Sequence, residues 1–292
     1  MWNSNQWKEY ELIDTSDGER LERWGDVILV RPDPQVIWKD VKKSKLWNKY
    51  NARYIRSSKG GGAWDIKDLP KGALDEGWIL GKGELTFRIR PTGFKHTGVF
   101  PEQAVNWEWM DKKIRNAGRP INAINLFAYT GGATLACAKA GASVCHVDAS
   151  KGIVAWAKEN AQLSGLSEAP IRYIVDDCKK FLEREIRRGR KYDALIMDPP
   201  SYGRGPGGEI WKLEDGICEL LELAAKVLSD DPLFVLVNSY TTGLSASTVG
   251  YLLSLYMKDF GGKVTADEIG IPVTESKMVL PAGSSARWEK EQ

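Results

Sequence analysis

The chain has 292 residues, 42% hydrophobic and 27% charged, with a formal net charge of +2. That is the composition of a soluble globular protein with room for one large α/β domain and a smaller one, and it excludes a polycation binding nucleic acid through bulk charge. Four single cysteines (Cys137, Cys145, Cys178, Cys218), no C-x-x-C pair and two histidines argue against a disulfide framework or a metal site.

The first segment, Met1 to Gln6, lacks the basic and apolar regions of a signal peptide, and no apolar run approaches the ~20 residues of a membrane span. A cytoplasmic protein with no membrane partner is expected. Residues 1–100 are rich in Trp, Gly and Pro. Val27–Val30 precedes the turn Pro32-Asp33-Pro34, Leu85–Arg90 alternates with period two, and Gly60-Gly61-Gly62 and Pro70-Lys71-Gly72 punctuate the rest. These features predict a small, mostly β N-terminal domain suited to substrate binding.

From Pro101 to residue 292 helix and strand alternate. Pro101-Glu102 suits a helix first turn, and Gly118 with Pro120 its end. Strands are expected at 121–126, 143–147, 171–175, 193–197 and 233–237, with helices at 133–140, 151–164, 179–188, 213–228 and 245–257. Two short strands near 264–269 and 278–280 close the series. This order predicts a doubly wound, Rossmann-like α/β domain with a parallel sheet and right-handed crossovers. Such folds bind ligands at the carboxyl ends of the strands.

The first strand ends in Leu126-Phe127-Ala128-Tyr129-Thr130-Gly131-Gly132 and runs into a helix. Glycines there admit a ligand close to the backbone, and the helix N-terminus offers amides to an anionic group. The second strand ends at Asp148-Ala149-Ser150, where a carboxylate can accept both hydroxyls of a ribose. The third ends at Asp176-Asp177-Cys178, a second acceptor for an adenine amino group. A nicotinamide dehydrogenase would need G-x-G-x-x-G, which is missing here. Taken singly, the glycines read as a turn and Asp148 as a helix cap; three matches at three consecutive strand ends argue for a cofactor.

The fourth strand delivers Asp198-Pro199-Pro200-Ser201-Tyr202, then Gly203-Arg204-Gly205-Pro206-Gly207-Gly208 as a mobile loop, with Trp211 beyond. Paired prolines fix the backbone so that Asp198 and the carbonyl after it become rigid acceptors for a planar amino or imino group, with Tyr202 placed to stack on it. The bland alternative is a turn in which Asp198 caps a helix.

With those residues in view, the sequence resembles the bacterial class I methyltransferases related to those acting on 23S ribosomal RNA. The shared residues are Leu126 to Gly132, Asp148-Ala149-Ser150, Glu159-Asn160, Asp177 and Asp198 to Tyr202, with Lys95-His96-Thr97-Gly98-Val99-Phe100-Pro101-Glu102-Gln103 similar to the family's lead-in segment. The resemblance covers roughly residues 84 to 240. It implies a seven-stranded sheet with an antiparallel last strand and S-adenosyl-L-methionine as cofactor. It also implies a cofactor site of Phe127, Ala128, Tyr129, Thr130, Gly131, Asp148, Ala149, Ser150, Asp177, Cys178 and Asp198, and a transfer site of Asp198, Pro199, Pro200 and Tyr202. The substrate it implies is RNA.

Two departures shape the chemistry. Methylation of cytosine C5 needs a cysteine nucleophile beside the fourth-strand prolines or after strand five. Those stretches read Asp198-Pro199-Pro200-Ser201 and Val237-Asn238-Ser239-Tyr240-Thr241-Thr242-Gly243, so methylation of a base nitrogen is expected instead. The RNA-binding module of many relatives is also not recognisable in residues 1–83.

Between Lys39 and Lys59 eight basic residues stand against Asp40 alone, with Trp38, Trp47, Tyr50 and Tyr54 alongside. This is either a nucleic-acid contact or an amphipathic helix whose aromatics pack into the small domain. Arg184, Arg187, Arg188, Arg190 and Lys191, accompanied by Glu183 and Glu185, read as a solvated helix end. His96 and His146 read as packing or turn residues. The competing readings are a methyltransferase for a protein or small molecule, with Trp211 and the glycine loop forming a narrow pocket, and a non-catalytic cofactor-binding module.

Overall fold

The computed structural model describes residues 1–4, 7–57, 61–204 and 210–290. Asn5, Gln6, Lys59, Gly60 and the Gly205–Gly208 stretch of the expected loop lie outside the described residues. The chain divides into two compact units, one of Asn3–Ala104 with Gly270–Ala282, the other of Met1–Trp2, Val105–Ile269 and Gly283–Gln292. No described helix is long and apolar enough to cross a membrane.

After a two-residue strand β1 (Trp2–Asn3), the first unit builds one five-stranded sheet in sequential order. Its strands are β2 (Tyr10–Ser16), β3 (Glu19–Trp24), β4 (Val27–Pro32), β5 (Ala52–Arg56) and β6 (Gly62–Ile66). Asp17 and Gly18, both at positive φ (53° and 76°), make the β2–β3 turn whose twist matches the paired strands. A separate hairpin joins β7 (Trp78–Lys82) to β8 (Leu85–Ile89). Ile13, Leu21, Val30 and Trp47 form a core on this sheet. Segment 270–282 adds to it through Thr274 N–H on the Leu12 carbonyl (2.9 Å) and Glu275 N–H on Ile13 (3.0 Å).

A buried polar cluster also holds this unit. Glu22 accepts from Arg31 Nε (2.6 Å), Arg31 Nη2 (2.8 Å) and the Tyr10 hydroxyl (2.8 Å). Burial alone would raise its carboxyl, but Arg20 and Arg31 hold it down at about 2.

Between Trp38 and Ser57 the chain is not an amphipathic helix, though its aromatics do pack into this unit. It runs irregularly to a single 3-10 turn (Lys45–Asn48) and then enters β5. Its aromatics are engaged in structure: buried Trp47 donates Nε1 to Asp14 (2.8 Å), buried Tyr54 donates its hydroxyl to the Gly93 carbonyl (3.2 Å), and Trp38 Nε1 donates to Thr15 (3.0 Å). The Tyr50 ring lies 3.7 Å under Lys67 Nζ. Arg53 and Lys42 both pair with Glu19.

The second unit alternates as the sequence predicts. Its strands β9 (Asn122–Leu126), β10 (Ser143–Asp148), β11 (Ile171–Val175), β12 (Ala194–Met197) and β15 (Phe234–Ser239) pair in parallel in the order β15-β12-β9-β10-β11. A small hairpin, β13 (Tyr202–Arg204) with β14 (Ile210–Lys212), falls between β12 and β15. The helices are α1 (Ala104–Arg115), α2 (Gly132–Lys139), α3 (Lys151–Leu163), α4 (Cys178–Arg187), α5 (Leu213–Lys226) and α6 (Ala246–Met257). The strands are near-continuous apolar runs because helices cover both faces of the sheet.

The sheet has the seven strands implied, with the last antiparallel, and the two-residue β1 adds an eighth at its edge. Past β15 come β17 (Val279–Glu289), antiparallel to it, then β16 (Lys263–Pro272), and β1 adds an edge. The two closing strands are also far longer than the short pieces expected. Pro281, Gly283, Ser284 and Ser285 hide β17 from a hydrophobic pattern. Its inward Ser285 and Arg287 instead meet Asn106 of α1, which donates to Ser285 (3.0 Å) and to Asn238 of β15 (3.2 Å) and accepts from Arg287 Nη2 (2.6 Å).

The second basic run is a solvated helix end, with Arg187, Arg188, Arg190 and Lys191 exposed at or past the end of α4, but the accompanying Glu185 is not solvated. Glu185 is fully buried and takes Arg172, Arg188 and the Tyr192 hydroxyl.

Candidate active site

The carboxyl ends of β9, β10, β11 and β12 lie side by side, and the chain leaving each is tied to its neighbour. Ala128 N–H bonds the Val147 carbonyl (3.0 Å), Asp176 N–H the Asp148 carbonyl (3.1 Å), and Asp198 N–H reaches Leu126 (3.5 Å). Phe127 N–H donates to Cys178 Sγ (3.3 Å). These bonds bring the Phe127–Gly131 loop, Asp148, Asp177–Cys178 and Asp198 to one edge of the sheet.

The loop after β9 is wound tightly. Phe127 (φ 54°), Tyr129 (φ 49°) and Gly131 (φ 91°) all take left-handed backbone, which for the two aromatic residues costs on the order of 1–3 kcal/mol each. Asp148 offsets part of that cost: its Oδ2 accepts from Tyr129 N–H (3.0 Å) and its Oδ1 from Ser150 N–H (2.9 Å). Asn160, buried in α3, donates to the Thr130 carbonyl (2.9 Å). Behind the loop, Thr134 links Asn125 (3.0 Å) to His146 Nδ1 (2.9 Å). Burial pushes the His146 imidazole down to about 3, so this ring is a neutral packing element.

Asp148 does not cap a helix. Ser150 caps α3 by accepting from Ile153 N–H (3.4 Å), which leaves the Asp148 carboxylate as an acceptor at the loop. Its pKa is raised by burial, and the two amide bonds offset only part of the shift. Asp177 does cap a helix, accepting from Lys180 N–H (2.9 Å) at the start of α4. Ala149 and Ser150 are exposed beside Asp148.

The N-terminus of α2 is different from these. Gly131 precedes it with no side-chain cap, whereas α3, α4 and α6 each have one. An uncapped helix start beside a half-buried carboxylate fits a ligand carrying an anionic group and a vicinal diol.

Asp198 is half-buried, Pro199 buried, and Pro200 and Tyr202 exposed. Strand β13 follows at Tyr202, so Asp198 has no helix to cap. Two contacts that sequence reasoning did not foresee hold this turn. Trp211 of β14 donates Nε1 to the Pro200 carbonyl (2.7 Å) and packs near Phe127, ring centroids 6.2 Å apart. Thr241, just past β15, donates to Ser201 Oγ (2.8 Å). Gly216 of α5 makes room for the indole: a Cβ there would stand 2.3 Å from Trp211 Cζ3. Tryptophan 211 therefore backs the turn and the cofactor loop together.

The cysteine thiols are mostly buried. The Cys178 thiol is pushed well above its ordinary value and Cys137 up to about 12, both by burial first. Cys145 is raised by the same cause, and Cys218 lies exposed on α5. Among the described residues no group of three or more His, Cys, Asp or Glu could hold a metal ion.

A parallel sheet in this strand order, with an antiparallel strand beside β15, is the fold of class I methyltransferases. Residues 63–221, more than half of the chain, match the family described as S-adenosylmethionine-dependent methyltransferase, and the chain belongs to that family, with S-adenosylmethionine as its cofactor.

Among curated proteins, the ribosomal RNA large subunit methyltransferase K/L of Shewanella frigidimarina is 32% identical over 155 residues, 52% of this chain and 21% of that one. MJ1653 of Methanocaldococcus jannaschii, provisionally named a ribosomal RNA large subunit methyltransferase, is 31% identical over 202 residues, 67% of this chain and 51% of that one. The chain thus spans from 21% to 51% of the length of these relatives. The crystal structure of a SAM-dependent methyltransferase from Agrobacterium tumefaciens is 39% identical, with a TM-score of 0.91 over 99% of this chain and 93% of that one.

Proposed function

We propose that the protein methylates a base nitrogen of RNA, ribosomal RNA being the favoured substrate, in the cytoplasm. The observation that carries this reading is the Asp198–Tyr202 turn: a carboxylate and a ring presented at the carboxyl edge of the sheet, two strands from Asp148, on a backbone fixed by Trp211 and Thr241. Support for RNA comes from the ribosomal RNA methyltransferases among its relatives.

The proposed cofactor contacts are the amides at the start of α2 with the Phe127–Gly131 loop, Asp148 with Ala149 and Ser150 at the ribose, and Asp177 with the Cys178 backbone at the adenine. S-adenosylmethionine, when bound, supplies an electrophilic methyl group. Asp198 and the carbonyl after it hold the N–H groups of the acceptor and turn the nitrogen lone pair toward that methyl, while Tyr202 stacks on the base. Catalysis of this kind is mostly positioning. The displaced proton leaves to Asp198 or to water. A C5 mechanism would need a cysteine beside the Asp198 turn or just after β15, and those stretches, Asp198–Tyr202 and Ser239–Gly243, contain none.

On this reading the first hundred residues present the RNA and residues 101–292 carry out the transfer. Incubating fractionated cell RNA and protein with methyl-labelled cofactor tests the reading. Label is expected in RNA and, after digestion, on an N-methylated nucleoside. Label only in protein or small molecules overturns the RNA substrate; label on C5 of a pyrimidine overturns the nitrogen acceptor.

A further inference from the structure

The aromatics of the Trp38–Lys59 stretch are engaged in packing and hydrogen bonds, so a ring on which a base could stack has to be sought outside that stretch. The turn from Thr92 to His96 is the place where its structure offers one. Phe94 is 67% exposed at the apex. Single exposed apolar residues are ordinary on protein surfaces, but this one is held in place from several sides. Trp64 Nε1 donates to the Thr92 carbonyl (2.9 Å) and the Tyr54 hydroxyl to the Gly93 carbonyl (3.2 Å). Thr92 Oγ1 accepts from Phe94 N–H (3.2 Å) and donates to the His96 carbonyl (2.9 Å). At the base, Arg90 N–H bonds the Thr97 carbonyl (3.0 Å) and Arg31 Nη1 the Lys95 carbonyl (3.0 Å). The main chain beneath the ring is therefore already ordered, which lowers the entropic cost to a ligand that stacks on it.

The surroundings are cationic. Between Glu84 and Glu102 the chain has Arg88, Arg90 and Lys95 and no acid. Lys95 is half-buried, and its Nζ has the Pro32 carbonyl at 3.5 Å. Burial and the positive field of Arg20, Arg31 and Arg56 together push its amine down to about 8, with Asp33 opposing. Arg20 and Arg31 are buried and committed to Glu22 and Asp33. They contribute field rather than contacts, while Arg56 at the end of β5 is exposed. An amine in a positive field, whose acceptor among the described residues lies at 3.5 Å, is stabilised by an arriving anion.

We propose that the Thr92–His96 turn is a contact for single-stranded RNA, with Phe94 as the face on which a base stacks and Lys95 and Arg56 as partners for its phosphates. A single strand suits it because an unstacked base can reach a lone ring, whereas duplex RNA is recognised by shape and by its 2′-hydroxyls. The inference rests on the RNA reading above and extends it to the first unit.

The test uses the full chain and a fluorescein-labelled oligouridylate of roughly 12 nucleotides, within the span such grooves cover. Anisotropy is read across a potassium chloride series. Phe94→Ala should weaken binding by about 5- to 100-fold with an unchanged salt slope, and Phe94→Trp should retain it. Arg56→Ala should lower the salt slope by about 0.7. Both variants should bind cofactor and melt as wild type does, since both positions are exposed. If wild type binds and methylates RNA but Phe94→Ala and Arg56→Ala match it in affinity and slope, this contact is overturned and the RNA reading stands. If wild type neither binds the oligonucleotide nor labels RNA, both fall. Loss of labelling of a protein in Phe94→Ala would overturn it in favour of a protein partner.

Discussion

Replacing Asp148 by asparagine probes the cofactor end most sharply. The carboxylate accepts one amide on each oxygen, Tyr129 at 3.0 Å and Ser150 at 2.9 Å. An amide NH2 in place of one oxygen sets donor against donor and removes one charge-assisted bond, at about 1.5–3 kcal/mol. Tyr129 sits at φ 49°, so losing its anchor also frees a strained loop. A melting temperature lower by about 3–12 °C follows for a unit of this size. If the same carboxylate grips the ribose, cofactor affinity falls by about 10- to 100-fold.

Scanning calorimetry and titration calorimetry with S-adenosylmethionine measure the two effects. Acidity adds a second signature. Burial raises the Asp148 pKa, so its charge is lost at a higher pH than an exposed aspartate's. Wild-type affinity should decline as the pH falls through that raised value, and Asp148→Asn should lack this titration. An Asp148→Asn protein that melts and binds cofactor as wild type does would refute the role given to this carboxylate.

Three further predictions concern the turn and the cores. Thr241→Val removes the hydroxyl that donates to Ser201 and should lower kcat by about 2- to 10-fold with cofactor affinity unchanged; Thr241→Ser should restore it. Gly132→Ala would place a Cβ 2.4 Å from Cζ2 of buried Trp107, and thermal melting should show a loss of about 1–3 kcal/mol. Glu22, held at about 2 by Arg20 and Arg31 against its burial, contributes stability that is fully present above its unfolded pKa and lost as pH falls through about 2. Denaturant titrations of wild type and Glu22→Gln should therefore converge as the pH is lowered across that window.

The central sheet was legible because its strands are buried on both faces and read as short apolar runs between turn residues. Ile171–Val175 is read to the residue, and Leu126, Asp148 and Asp198 fall at strand ends as the alternation requires. Strand β17 was not legible beyond its first residues. It is stabilised by side chains meeting Asn106, some 180 positions away in sequence, rather than by alternating apolar residues. The same cause hid the contacts of the Asp198 turn. Thr241 and Ser201 are 40 residues apart, and no local spacing marks such a bond. In the first unit the aromatics of the basic-aromatic stretch pack into the small domain, as one of its two readings expected, but without a helix: Trp47 and Tyr54 find distant polar partners that let indole and phenol be buried. Asn160 stood among the resembling residues without a role until its bond to Thr130 showed what it holds.

The proposed chemistry turns on Asp198, and its replacement by alanine separates transfer from binding. Methyl incorporation into RNA under single-turnover conditions, read alongside calorimetric cofactor affinity, is the direct measurement. Incorporation lost in Asp198→Ala while the cofactor still binds nearly as tightly is the outcome this account predicts. Undiminished incorporation by that variant would contradict it.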